Sequence, residues 1–376
     1  MERMGHILAV LLLVLTGYGA LLIVVPSPVS AYTPHDPIHI DGNADFTAQA
    51  ASEGWPGDGS EGNPYIIDGY EINASTNNGI FITETSVYFQ IKNVYVRDGE
   101  PSYCGIYLIN AFNGRISNCL LENNDDGIST MYSANITVDN CIISSSKEND
   151  ISLIQSQNII LTNNSFESAG ITIWGYSKEH YYSHFIDESN TVHGKPVYYW
   201  LDREGDTVPL GAGQVILVNC TNVSVENQEI SDVYCGIDVT YSSHITLMYN
   251  TIYANLEHSI RVLDSCNITL MFNTVTANVE YGMSILDSNN ITITNNTITN
   301  NKYGIHIEYS RSITVTDNHI TSNTRGISLL GSYENHIQGN NFSSEGIYYS
   351  SNAGGIELES SNNNTIINNI VSNNNF

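Results

Sequence analysis

From residue 79 onward the chain keeps returning to one short phrase: a glycine or its substitute, then apolar, polar, apolar. It reads Gly79-Ile80-Phe81-Ile82, Gly105-Ile106-Tyr107-Leu108, Gly127-Ile128-Ser129-Thr130, Asp150-Ile151-Ser152-Leu153 and Gly170-Ile171-Thr172-Ile173. After a break it resumes at Gly236, Ser259, Gly282, Gly304, Gly326 and Gly355, with starts separated by 23, 23, 22, 22 and 29 residues. The last interval absorbs a small insertion near Glu345–Asn352. Each unit also holds shorter alternating runs such as Asn290-Ile291-Thr292-Ile293-Thr294. Period-two alternation rich in Ile, Val and Thr predicts strands, and the Asn, Ser and Gly between them supply turns. Only Asn43–Ser52 has a helical period, with Asn43 as its cap and Phe46 and Ala50 facing inward.

A second column runs through the repeats. Asn recurs two residues before an apolar position at Asn118, Asn140, Asn250, Asn273, Asn296, Asn318 and Asn340. Stacked about 4.8 Å apart, such side chains would satisfy turn amides and one another, forming a structural ladder. No single unit can bury its own apolar face, so the units must stack. The pattern therefore predicts an all-β fold, a right-handed single-stranded parallel β-helix of about twelve coils, each of about 22 residues. Residues 32–78 would form an N-terminal cap and the entry to the first coil, followed by coils over 79–175. An aromatic-rich inserted segment over 176–212 would interrupt the stack. Coils over 213–376 would complete it, the last stopping inside a repeat.

Composition adds a location and excludes some partners. Residues 1–31 have a short polar start, an uncharged run over Ile7–Val25 and the small residues Val29-Ser30-Ala31, which reads as a secretory signal cut after Ala31. The protein would then be secreted or held at the cell surface, touching a membrane only if that segment stayed uncleaved as an anchor. The net charge is −27, with only 12 Lys and Arg and no basic cluster, which excludes nucleic acid as a partner. The six cysteines include no CxxC pair, so zinc ribbons and thioredoxin-like redox sites are also excluded. Cys119 and Cys141 share a repeat position and should be neighbours on adjacent coils, as free thiols or as a disulfide.

The Gly-Ile-x-Leu coils with Asn-x-Ile corners resemble the NosD-type β-helix proteins of archaeal surfaces, part of a wider group of carbohydrate-binding and sugar-hydrolase β-helices. The segment from Ile38-His39-Ile40-Asp41-Gly42 to Gly62-Asn63-Pro64-Tyr65-Ile66-Ile67 is similar to their entry segment. The stretch from Ser189-Asn190-Thr191-Val192-His193-Gly194-Lys195-Pro196 to Gly211-Ala212-Gly213-Gln214 is similar to their characteristic insertion. The resemblance implies the fold and, in one branch, a role in copper-site maturation.

Three sets of residues are candidates for chemistry. Trp174, Tyr176, Tyr198, Tyr199 and Trp200, with the stacked carboxylates Asp264 and Asp287, suit a ligand groove with platforms for sugar rings. Those carboxylates would also suit calcium. Asp238, Arg261 and His258 are predicted neighbours on adjacent coils, a base beside a cation, as a sugar lyase or epimerase needs. His180, His184 and His193 are candidate copper ligands, and Met248 and Met271 stack one coil apart. The expectation is a non-catalytic surface β-helix that binds a glycan or another cell-envelope component. The alternatives are a polysaccharide lyase, epimerase or hydrolase, and a copper-maturation accessory protein.

Overall fold

The computed structural model describes residues 32–343 and 354–372; the expected leader, the small insertion near Glu345–Asn352 and the final four residues lie outside them. The described chain is almost wholly short parallel strands stacked coil on coil. One coil of the first half runs through Asp126–Met131, Ala134–Asp139 and Ile142–Ser144, giving three faces. Register is one-to-one between coils: Ile128 pairs with Ile151, Val138 with Leu161 and Ile143 with Phe166. The second half repeats this with His258–Leu263, Cys266–Met271 and Thr274–Thr276, where Ile260 pairs with Met283. Inward Ile, Val and Leu are buried except in the last described coil, where Leu358, Ile366 and Val371 are exposed, so the core is a continuous column inside each stack.

The glycine that opens each phrase is there for space. At Gly304 an added Cβ would lie 2.6 Å from the Gly326 carbonyl oxygen and 3.0 Å from Ile320 Cγ2. The corner of one coil rests on the backbone of the next, and only a missing side chain permits that approach.

The cap is itself the first coil, with Ile38–Asp41 paired to Ile80–Thr85 and Tyr65–Asp68 to Phe89–Lys92. The helix Gly42–Glu53 covers the open end, burying Phe46 and Ala50, and stops at left-handed Gly54. Phe46 stacks on Tyr65 at 5.1 Å. Asp41 rather than Asn43 occupies the cap position. Asn43 instead accepts hydrogen bonds from Thr85 Oγ1 and the Ser86 amide, which fastens the helix to the next coil.

The asparagine ladder exists, in a register that shifts between halves. Asn250, Asn273, Asn296, Asn318 and Asn340 are buried, and each Nδ2 donates to the Oδ1 of the next at 2.9–3.0 Å, ending on Asn369. Asn118 and Asn140 are not part of it. Both sit at positive φ with exposed side chains, and the inward place after each belongs to Cys119 and Cys141. Corners here carry two adjacent turn positions. The first needs a left-handed backbone, which Asn tolerates, and the second points inward. All six cysteines are free thiols, and burial, then Cys141, pushes the Cys119 thiol up.

The interruption is a junction, not an excursion from the stack. Phe185–Ile186 and Thr191–Val192 pair with the second and third faces of the preceding coil and complete it. The chain then turns at His193-Gly194, and Lys195–Leu201 pairs antiparallel with Thr191–Val192. Every later strand in that sheet is parallel to Lys195–Leu201. Strand direction therefore reverses once, at this hairpin.

The reversal moves the core to the other side of the sheet. Paired residues point to the same face, so Val192, in the core of the first half, shares its side with Lys195 and, by alternation, Tyr199. Tyr199 is in register with Ile216, Asp238 and Arg261, which lie outside the second half's core. Coils of one hand running in reversed direction require this switch. The protein thus has two arms, and the outer face of the second abuts the end of the first.

A candidate site in the corner between the arms

The last first-face strand of arm one, Ile171–Trp174, has no strand beyond it. Side chains from arm two satisfy its edge instead. Gln214 acts as a substitute peptide: its Oε1 accepts the Ile171 amide at 3.0 Å, and its Nε2 donates to the carbonyls of Ile171 at 2.7 Å and Cys235 at 2.9 Å. Arg261 Nη2 donates to the Ile173 carbonyl at 3.1 Å. The same guanidinium grips Asp238 through Nε–Oδ1 at 3.0 Å and Nη2–Oδ2 at 2.5 Å, with both side chains under 8% exposed. Burial alone would weaken the Arg261 charge, but Asp238 outweighs it and keeps the guanidinium protonated. Asp238 and Arg261 are therefore neighbours as expected, but as a locked pair that seals a sheet edge. A carboxylate held this way is not free to act as a base.

Beside this seal, the outer faces of the two arms enclose a cleft of about 510 Å³. Arm one contributes Asp126, Glu148 and Asn149 together with Ser152, Ile154, Thr172 and Trp174. Arm two contributes Tyr234, Glu257 and His258, then Arg261, Tyr281 and Ser284, then Leu286, His306 and Glu308. His258, Tyr281 and Tyr303 stack as a column of rings with centroids 4.9 and 5.0 Å apart, and His306 leans on both tyrosines. Trp174 is 39% exposed and meets Tyr176 edge-on at 4.6 Å. Three polar atoms of this lining, His258 Nδ1, Ser284 Oγ and His306 Nδ1, are buried without a hydrogen-bond partner.

Burial shapes the ionisation of the cleft. It raises Asp126 to about 6, against hydrogen bonds from Asn149 and Ser129 that favour the carboxylate. It also pulls His258 well below its usual range, helped by the nearby Arg261, and lowers His306 despite Glu308. Burial thus favours the neutral form of both imidazoles.

Other expected residues lie elsewhere. Tyr198 and Trp200 face the core of arm two and close its first coil, with Arg203 over the Trp200 ring at 5.3 Å. Tyr199 is buried against the junction helix Glu179–Tyr182, its hydroxyl donating to the Tyr181 carbonyl. These three are packing residues, not platforms, because they belong to the strand that starts the second core. Asp264 and Asp287 are exposed; burial, then Asp264 and Glu308, raises Asp287.

The histidines do not converge. His184 is buried and bonded to the Ile159 amide and the His180 carbonyl, while His193 sits in the hairpin turn near the Asp232 carbonyl. Among the described residues no three His, Cys, Asp or Glu side chains form a ligand set. Met248 and Met271 are register partners on the second face of arm two.

The sequence reading missed Asp126, Glu148, Glu257, Tyr281, Ser284 and His306. A signal for some was present. Ser284 and His306 continue the outward column of Asp238 and Arg261, and Tyr281 continues that of His258.

Two family models match the chain. One, described as a periplasmic copper-binding protein (NosD), covers residues 189–354; the other, described as a right-handed β-helix region, covers residues 57–186. No curated protein sequence matches it. Among solved structures, it is similar to the A-module of an Azotobacter vinelandii mannuronan C-5 epimerase, at 14% identity and TM-score 0.39 over 90% of this chain and 93% of that one. It is similar to a double mutant of a periplasmic alginate epimerase, at 11% identity and TM-score 0.41 over 90% and 85%. A Streptococcus pneumoniae surface protein and adhesin matches at 14% identity and TM-score 0.34 over 90% and 96%. The fold on both sides of the junction is a right-handed parallel β-helix, and residues 189–354 match the NosD model.

Proposed function

We propose that this is an extracytoplasmic glycan-binding protein, without catalytic turnover, whose cleft between the arms holds a short stretch of carbohydrate from the cell envelope or its surroundings. The observation that carries the reading is the pairing of ring faces with unsatisfied polar atoms in one cleft. Trp174 stands exposed on one wall, and the other carries the Tyr281 stack together with three buried polar atoms that lack partners. Sugars present both apolar ring faces and dense hydroxyls, and so suit that mixture. The periplasmic description of the NosD model supports a place outside the cytoplasm. Copper is no part of this reading, since among the described residues no three His, Cys, Asp or Glu side chains converge. A glycan array, probed with protein from Tyr32 onward and run with and without calcium, tests the reading. Binding should fall at least about tenfold in Trp174→Ala, the loss of a stacking anchor. Binding to nothing on the array would reject it.

One observation favours a second reading, a polysaccharide-active enzyme. Asp126 lines the cleft and, raised to about 6, is poised to hold a proton near neutral pH as a general acid does. Release of reducing ends or unsaturated sugars, lost in Asp126→Asn, would decide for it.

A further inference from the structure

We propose that the cleft selects glycans carrying free amino groups, such as a run of deacetylated hexosamines, over neutral or uronate chains. This rests on the glycan-binding reading and adds its charge preference. The lining holds four carboxyl side chains, Asp126, Glu148, Glu257 and Glu308, contributed by both arms. Against them stands one guanidinium, Arg261, already committed to Asp238 and to the Ile173 carbonyl. No cation is left over in the lining to meet an anionic sugar. The whole chain points the same way, with 39 acidic side chains against 12 Lys and Arg.

Carboxylates alone would be an ordinary solvated surface. What marks this cleft is the set of acceptors set deep among them. His258 is 7% exposed and Ser284 1% exposed; both line the cleft, and His258 Nδ1 and Ser284 Oγ have no partner. A neutral imidazole nitrogen and a hydroxyl oxygen can both accept from an ammonium group. Tyr281 has both ring faces covered, by His258 and Tyr303, so the exposed ring of the lining is Trp174. The carboxylates would draw the amine in, the buried acceptors would take its protons, and the exposed Trp174 would carry the sugar ring. A uronate chain would meet like charge on both walls.

The test compares three probes on the protein from Tyr32 onward by titration calorimetry: glucosamine hexamer, N-acetylglucosamine hexamer and galacturonate hexamer. The glucosamine hexamer should bind at least about tenfold tighter than its acetylated form, with an affinity that falls as salt rises. The galacturonate hexamer should not bind, with or without calcium. In Glu257→Gln/Glu308→Gln the preference for free amines should shrink by about tenfold, each carboxylate supplying a few-fold. Equal affinity for the two hexosamine probes, or tighter binding of galacturonate, would overturn the charge preference and leave glycan binding standing. Failure of all three probes to bind would overturn the preference for free amines, while glycan binding itself would stand or fall on the array.

Discussion

The Asp238–Arg261 pair makes a demanding prediction, because its residues also looked like candidates for catalysis. Asp238→Ala leaves a fully buried guanidinium without its counter-charge at the seam between the arms. Stranding one member of a buried pair costs about 3–5 kcal/mol. Arg261→Met should cost a similar amount, since it strands Asp238 and also exposes the Ile173 carbonyl as an unpaired acceptor, itself a loss of about 1–3 kcal/mol. In Asp238→Ala/Arg261→Met both charges leave together, and only the carbonyl stays unpaired. The double variant should therefore be more stable than either single one, with a coupling of at least about 2 kcal/mol. Urea unfolding followed by tryptophan fluorescence is the assay. Trp174 adjoins Ile173 and reports the seam itself, which matters in a stack whose coils can open piecemeal. A cost below about 1 kcal/mol for Asp238→Ala, or a double variant as costly as the sum of the singles, would refute the seal.

Two further predictions follow from the junction and the ladder. His184 is buried and its pKa is lowered to about 4, first by burial, so protons favour the unfolded chain. Its contribution is fully present above about pH 6.5 and is lost as pH falls through 4, for a total of about 3 kcal/mol. An imidazole titration by NMR with a midpoint near 6.5 would contradict this. In the ladder, Asn296 donates to Leu270 O, Thr294 O and Asn318 Oδ1 and accepts from Asn273. Asn296→Ala should cost about 3 kcal/mol and Asn118→Ala, exposed at its turn, about 1 or less, read as urea midpoints. Equal costs would show that the ladder carries no special weight.

Fold was far more legible than site. A period of 22 or 23 residues with alternating Ile and Thr fixes strand, register and stacking, since a slip of one residue would turn every Ile outward. The cleft depends on something periodicity does not encode, the side of the sheet on which each core lies. That is set by one two-residue turn, His193-Gly194, within a segment that otherwise reads as an aromatic insertion. Once the core changes sides, Trp200 becomes interior while His306 becomes lining. Asp238 and Arg261 were legible as neighbours because they are one coil apart. Their role was not, because the carbonyl they hold is 88 residues away in the chain.

The hairpin at His193-Gly194 makes the protein a calliper with independently adjustable jaws. Each coil rests only on the coils beside it, so removing one repeat from the far part of arm two would shorten that jaw by one strand spacing, about 4.8 Å, and leave the other untouched. The reach of that jaw is thus written in whole repeats, and ordinary duplication or loss of a 22-residue unit would lengthen or shorten it without redesigning a single contact at the hairpin.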